Sequence, residues 1–178
     1  MIIIPGWLIA IATFPGVIVH EAAHLLFCKL RRVAVFDVCF FRVGNPAGYV
    51  IHEPPTSFTS SFLIAVGPFI VNSLLCVLFC FPAFVPVKVF NQQDPVCYFL
   101  IWLGISIGMH AFPSTQDASV LWQTAKVAAA RWNPLAVLSL PLVIVIYIAN
   151  LLRVVWLDYL YGIVLGFVLP EILLKQLA

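Results

Sequence analysis

Apolar segments long enough to cross about 30 Å of hydrocarbon recur along the whole of this 178-residue sequence. Only 9% of the residues are charged, whereas a soluble domain carries roughly 25%. The sequence therefore predicts an all-α polytopic membrane protein, formed by a single membrane-embedded domain over residues 1–178. We expect about five transmembrane helices, at residues 7–30, 58–81, 96–112, 134–152 and 154–174.

Two segments between these spans are too polar to cross a membrane. Residues 33–52 hold β-branched runs on either side of Gly44-Asn45-Pro46-Ala47-Gly48, which predicts a small β-hairpin between the first and second spans. Residues 114–130 carry charged side chains, so the helix predicted there lies in or near the membrane interface. Within the first span, Pro15-Gly16 predicts a kink.

The distribution of Lys and Arg predicts how the chain is oriented in the bilayer. If the loop after the first span is cytoplasmic, Lys88 and Arg153 lie on the other side and the remaining seven of nine basic residues are cytoplasmic. The N-terminus is then outside, whereas the C-terminus, with Lys175, is inside. Nucleic acid is not an expected partner, because the net charge of +2 is small and scattered.

His20-Glu21-Ala22-Ala23-His24 places three ionisable side chains in one turn of the first span. A charge at mid-membrane costs roughly 2.5–3.5 kcal/mol even on the lenient insertion scale, so the group needs a compensating partner. The i, i+4 spacing puts both imidazoles on one helix face, within reach of one ion. This is the HExxH arrangement, in which zinc (Zn2+) lowers the pKa of its water and Glu21 accepts the proton. A buried polar trio satisfied by neighbouring helices is the alternative.

Two histidines leave a zinc site incomplete, so a third protein ligand is expected from another helix. The candidates are His52, Glu53, Asp94, His110, Asp117, Asp158 and Glu171. His110 and Asp117 flank the predicted cytoplasmic end of the third span, at a depth compatible with the histidines. Asp117 also has a second interpretation, because Ser114-x-x-Asp117 resembles a capping box. The two roles compete if a capping carboxylate points away from the metal, and the residues alone leave both open.

Three segments together resemble the site-2 protease family of intramembrane zinc metalloproteases. The first is the HExxH segment, His20-Glu21-Ala22-Ala23-His24, in a transmembrane helix. The second, Gly67-Pro68-Phe69-Ile70-Val71-Asn72, matches the family's G-P-x-x-x-N pattern, and the third, His110-Ala111-Phe112-Pro113-Ser114-Thr115-Gln116-Asp117, is similar to its N-x-x-P segment leading to a ligand Asp. The chain departs from the pattern at His110, where the family usually has Asn, at Ala118, where it usually has Gly, and by a gap before the acid that is one residue shorter.

The resemblance implies Asp117 as the third zinc ligand and hydrolysis of peptide bonds in or near the transmembrane segment of a substrate membrane protein, close to the cytoplasmic side. It suggests that Asn72 faces the catalytic helix and orients the substrate or Asp117. His110 could instead ligate or hydrogen-bond an oxyanion. The predicted hairpin corresponds in position to a β element of the family, whose edge can hold an unwound substrate. A non-catalytic zinc-binding membrane protein or metal carrier that keeps the fold is the alternative function.

Small residues in the apolar spans indicate close packing between helices. Gly104-x-x-x-Gly108 and Gly162-x-x-x-Gly166 let backbones approach each other, and we expect this packing within one chain and not between copies. Cys76 and Cys80 lie four residues apart in an apolar run and are interpreted as small helix-facing residues. The sequence does not predict an oligomeric state.

Overall fold

The computed structural model describes residues 6–177, so the ends of the predicted 1–178 domain lie outside the described residues. The helices are α1 (Gly6–Ala12), α2 (Phe14–Leu30), α3 (Phe58–Phe84), α4 (Pro95–Met109), α5 (Thr115–Ala129), α6 (Pro134–Leu152), α7 (Leu157–Ile163) and α8 (Leu169–Leu177). The shorter turns are π-helical at Val85–Val89 and Val164–Val168, and 3-10 at Arg153–Val155. Strands β1 (Val35–Cys39) and β2 (Tyr49–His52) pair antiparallel.

Within residues 6–177, three helical segments are long and apolar enough to cross a membrane: Phe58–Val89, Pro134–Val155 and Leu157–Gln176. The number rises to four if α1 and α2 form one broken span. Helix α4 is apolar as well, but its 15 residues extend only about 22 Å, which is less than the hydrocarbon thickness. The helical prediction and the apolar spans are therefore confirmed in outline, with three to four candidate crossings where five are predicted.

The predicted first span, residues 7–30, is divided into two helices. Helices α1 and α2 meet at Thr13 and differ in direction by 87°. Pro15 lies in the first turn of α2, where its missing N–H removes no helical hydrogen bond. The hairpin consequently lies between the second and third helices of the chain, and its strands occupy only part of residues 33–52.

Polar side chains on α4 stabilise the break between α1 and α2. Trp102 Nε1 donates a hydrogen bond to the last carbonyl of α1 at 3.2 Å. Ser106 Oγ donates to Thr13 O at 3.0 Å and accepts from Gly16 N at 3.2 Å. His110 Nε2 lies 2.8 Å from Thr13 Oγ1. Because Trp102, Ser106 and His110 are spaced by four residues, they lie on one face. From this face Trp102 and Ser106 bind backbone groups at the bend, and His110 binds the Thr13 hydroxyl.

Helix α3 is the element against which the site is assembled. α2 runs antiparallel to it, because His24 contacts Ile64 whereas Gly16 contacts Asn72, eight residues further along. α5 packs against the first half of α3, and α6 packs against α5, in a core that includes Ala65, Leu121 and Val143.

The last third of the chain forms two helical segments, α6 and the segment from α7 to α8. Helix α6 ends beside the segment that follows α4, because Asn150 Nδ2 donates to Pro113 O at 3.0 Å. Helix α7 then packs against α4 and reaches α3 where Tyr161 Oη lies 2.7 Å from Ser73 Oγ, and the π-helical turn Val164–Val168 packs against α3 beyond that point. The segment from α7 to α8 therefore runs in the same direction as α3 and ends beside its far end.

A cavity of about 350 Å³ at this far end is lined by both Lys88 and Lys175. The sequence predicts the two lysines on opposite sides of the membrane, with Lys175 cytoplasmic. The structure gives this part of the predicted orientation no support, because side chains that line one small cavity lie at the same end of the fold. Hydropathy does not show whether a chain turns back or continues after a break as short as Arg153–Val155.

Candidate metal centre

His20 and His24 of α2 meet Asp117 of α5 at one point in the fold. One ligand atom of each lies within 4.8 Å of the others. His24 Nε2 is 3.2 Å from His20 Nε2 and 3.5 Å from Asp117 Oδ2. A tetrahedral ion with ligand bonds of about 2.0–2.1 Å holds neighbouring ligand atoms about 3.3 Å apart, so these two separations fit one ion. The three residues could hold a metal ion, and their donor set is not specific to zinc.

Backbone carbonyls orient both histidine rings. His20 Nδ1 donates to His110 O at 2.6 Å, and His24 Nδ1 donates to Ile64 O at 3.0 Å. A neutral imidazole that is protonated at Nδ1 presents a lone pair at Nε2. Two such lone pairs 3.2 Å apart repel each other, and a cation beside both removes the repulsion. Donation of the second ring nitrogen to a carbonyl is also the usual support of a metal-bound histidine.

Asp117 caps α5 and faces the histidines at the same time. Its Oδ2 accepts hydrogen bonds from Ser114 N at 2.8 Å and Ser114 Oγ at 2.6 Å, and its own N–H donates to Ser114 Oγ, which completes a capping box. The same Oδ2 approaches His24, so the expected competition between capping and metal contact does not arise in this geometry. Burial opposes the charged form of the carboxyl. A His24 protonated at both ring nitrogens holds the pKa of Asp117 below its usual range by hydrogen bonding and charge, and the hydrogen bond from Ser114 acts in the same direction.

Glu21 lies next to this cluster and is covered by the hairpin. It is buried in the fold and follows the ligand candidate His20 directly in α2. The nearest part of the hairpin is Gly48, where an added Cβ would lie 2.6 Å from Glu21 Cγ. Glu21 is not among the three converging ligand groups, which agrees with the prediction that it does not ligate the ion.

Asn72 is fully buried and donates hydrogen bonds to backbone carbonyl groups near the histidines. Its Nδ2 donates to Ile107 O at 3.0 Å, His110 O at 3.1 Å and Gly16 O at 3.4 Å. His110 O also accepts from His20 Nδ1, so Asn72 and His20 share one acceptor. The sequence suggests that Asn72 orients the substrate or Asp117, but its observed partners are the carbonyls of α2 and α4.

The imidazole of His110 lies outside the metal cluster. Its Nε2 is engaged with Thr13 at the break between α1 and α2, whereas its carbonyl orients His20. Ligation by His110, considered from the sequence, has no support in this geometry. Thr13 and the carbonyl of Ile64 are parts of the site that the sequence analysis misses, because a polar residue at a helix break and a main-chain oxygen belong to no motif.

Comparisons of the chain with protein-family models, with curated proteins and with solved structures find no match. The resemblance to the site-2 protease family therefore rests on the three segments alone and stays a prediction.

Of the five remaining ligand candidates, Glu53 is exposed and the other four have partners outside the cluster. Asp94 Oδ1 caps α4 by accepting from Val96 N at 2.9 Å, and Glu171 pairs with Lys175 at 2.7 Å. Asp158 lies 3.9 Å from Arg153, and His52 Nδ1 donates to the carbonyl of Glu53.

Proposed function

We propose that this chain is an intramembrane zinc metallopeptidase of the site-2 protease type. The observation that carries the proposal is the convergence of His20, His24 and Asp117 beside a buried glutamate. Two imidazoles and one carboxylate are a donor set of the kind that catalytic zinc sites use, with a fourth position left open. The apolar helices around the cluster support a site within the bilayer.

The chemistry divides between the ion and the side chains. Zinc bound by the three residues would lower the pKa of a water molecule and polarise a peptide carbonyl. Glu21 accepts a proton from the attacking water while the water oxygen forms a bond to the carbonyl carbon. It then donates that proton to the amide nitrogen as the C–N bond breaks, which leaves a carboxyl group and an amine. Asn72 and the His110 carbonyl keep the His20 ring in its orientation.

The proposed substrate is the transmembrane segment of another membrane protein, cut close to the cytoplasmic side. Ile64, which contacts His24, lies six residues after the start of α3, or about 9 Å along the helix. The basic residues Lys29, Arg31 and Arg32 lie at the same end, which the charge distribution assigns to the cytoplasm. A shallow site at this end supports cleavage near that surface.

The test is co-expression with a panel of epitope-tagged single-pass membrane proteins. Glu21→Gln is expected to lower cleavage by about 100-fold or more and to leave the metal content unchanged, because it removes the base but no ligand. Glu53→Gln, at an exposed loop carboxylate, is the matched control and should cleave as wild type does. Undiminished cleavage by Glu21→Gln would show that the general-base assignment is wrong.

Metal analysis of the purified protein tests the third ligand separately. Wild type is expected to carry about one zinc ion per chain, and Asp117→Ala should lose most of it. Unchanged zinc in Asp117→Ala would remove Asp117 from the ligand set.

A non-catalytic zinc-binding protein is the second candidate function, and the burial of the site favours it. His24 is 7% exposed and Glu21 is 9% exposed, which leaves little access for a substrate chain. A carrier should move zinc into proteoliposomes, and Glu21→Gln should not affect that flux. Zinc flux without any cleavage of the tagged panel would favour this function over proteolysis.

A further inference from the structure

The turn of the β-hairpin lies directly on the side chain of Glu21. Gly48 immediately precedes β2 and is buried. A Cβ at this position would lie 2.6 Å from Glu21 Cγ, 3.0 Å from Phe40 O and 3.1 Å from Cys39 O. Real Cβ atoms do not approach other heavy atoms as closely as 2.6 Å. The hairpin can therefore reach Glu21 only because residue 48 has no side chain.

Space, and not backbone conformation, accounts for the glycine at this position. None of the glycines within residues 6–177 has a positive φ, so an alanine at Gly48 would not be strained by its own backbone. Gly44, at the other end of the same turn, has only Arg42 Nε near an added Cβ, at 3.8 Å. A side chain would therefore clash with its surroundings at Gly48 but not at Gly44.

We propose that Gly48 is a positioning residue for Glu21, holding its carboxylate toward the metal cluster by packing the hairpin backbone against its methylene groups. The inference rests on the proposed peptidase function. Glu21 has a long side chain with several rotamers, and restricting it to one rotamer costs conformational free energy. A rigid contact with the hairpin imposes that restriction during folding, before the substrate binds. A base held in place before the substrate arrives is also closer to the geometry that proton transfer requires.

The first experiment compares Gly48→Ala with Gly44→Ala on a tagged membrane protein whose cleavage depends on Glu21. An extra methyl group displaces the glutamate or lifts the hairpin, so Gly48→Ala should cleave about 100-fold more slowly, as expected for a catalytic group misplaced by about 1 Å. Its zinc content should stay at the wild-type level, and Gly44→Ala should match wild type in both measurements. Wild-type cleavage by Gly48→Ala, with Glu21→Gln inactive, would overturn the positioning role while leaving the proposed function intact.

A spectroscopic measurement tests the same contact without turnover. With Co2+ loaded in place of zinc, the visible absorption bands report the surroundings of the ion, including groups that do not ligate it. Gly48→Ala and Glu21→Gln should change these bands in the same direction, whereas Gly44→Ala should leave them unchanged. An unchanged spectrum for Gly48→Ala, beside a changed one for Glu21→Gln, would contradict the proposal.

A double-mutant cycle covers the case in which Gly48→Ala folds poorly. Glu21→Ala removes the Cγ that the new methyl group would meet, so most of the fall in melting temperature caused by Gly48→Ala should disappear in the Glu21→Ala background. An equal fall in both backgrounds would mean that Gly48 packs only against the carbonyls of Cys39 and Phe40, and the proposal would then be wrong.

Discussion

Residues 58–73 of α3 carry the polar groups that contact the candidate metal centre and its surroundings, whereas residues 74–84 meet their neighbours through cysteine and glycine. We call these two regions, each with the segments that contact it, the first or polar half and the second or apolar half. In the first half, the carbonyl of Ile64 orients His24, and Asn72 donates to three carbonyls of neighbouring segments. These contacts determine the orientation of the His24 ring and the positions of the carbonyl groups to which Asn72 donates. The candidate metal centre is assembled in this part of the molecule.

The second half of α3 has no comparable requirement for orientation. Cys76 and Cys80 face three glycines of α4 and of the α7–α8 segment, Gly104, Gly108 and Gly166. The Cys76 thiol also lies 3.8 Å from the carbonyl of Gly162. At Gly108 an added Cβ would lie 2.7 Å from Cys76 Sγ and 3.1 Å from Gly162 Cα. The small residues let three helices approach closely, so this half contributes packing and stability. The two halves should therefore respond differently to substitution.

The largest effect is expected in the polar half, at a ligand. Removing partners that only orient a ligand typically costs about 10–100-fold in metal affinity, so loss of the ligand itself should cost at least about 100-fold. His24→Ala should thus weaken zinc binding by that amount or more, measured by competition with a chromogenic chelator. His52→Ala, in the hairpin, is the control and should bind as wild type does. Equal affinities would exclude His24 from the metal centre.

Asn72→Leu should give the next largest effect, because it keeps the branched shape of the side chain but removes its donors. The carbonyl of His110 loses one of its two partners, and the backbone that orients His20 loosens. Zinc affinity should fall by about 10–100-fold, in the same chelator assay. A variant that melts earlier but binds zinc at wild-type affinity would assign Asn72 to packing and would remove the contrast between the two halves.

Gly108→Ala tests the apolar half and should affect stability without affecting the metal. The new methyl group meets Cys76 Sγ, and overpacking of this kind typically costs about 1–3 kcal/mol. Thermal unfolding in detergent should show the loss, and zinc affinity of the folded fraction should not change. Cys76→Ala combined with Gly108→Ala should recover part of the stability, because it removes the atom that clashes. If stability does not recover, the contact of the new methyl group with Gly162 Cα is the cause of the loss.

The two halves also differ in how much of them the sequence predicts. The histidine pair and Glu21 form a motif, and the small residues at Gly104 and Gly108 form another, so both regions carry local signals. The parts that orient the histidines are main-chain oxygens of Ile64 and His110, and every residue has such an oxygen. Only the packing of α2 against α3 and α4 selects these two, and that packing depends on contacts far apart in the chain.

The course of the chain after α6 could not be predicted for a similar reason. Hydropathy locates apolar segments but not their direction, and the turn at Trp156 is too short to distinguish a reversal from a continuation. Trp156 adopts a left-handed conformation, with φ of 65°, which no local pattern predicts for a tryptophan. Contacts of the segment from α7 to α8 with the second half of α3 determine the direction in which the chain continues after Trp156.

Ser114→Ala should have the smallest effect of the four, and it separates the two roles of Asp117. The substitution removes the Ser114 hydroxyl from the capping box but keeps the carboxylate, and loss of a cap typically costs about 1 kcal/mol of stability. Zinc affinity should fall by less than in Asn72→Leu, because the ligand remains and Ser114 N still donates to it. If zinc affinity falls as far as it does in Asp117→Ala, the hydroxyl is what holds the carboxylate in place, and the polar half depends on its caps as strongly as on its ligands.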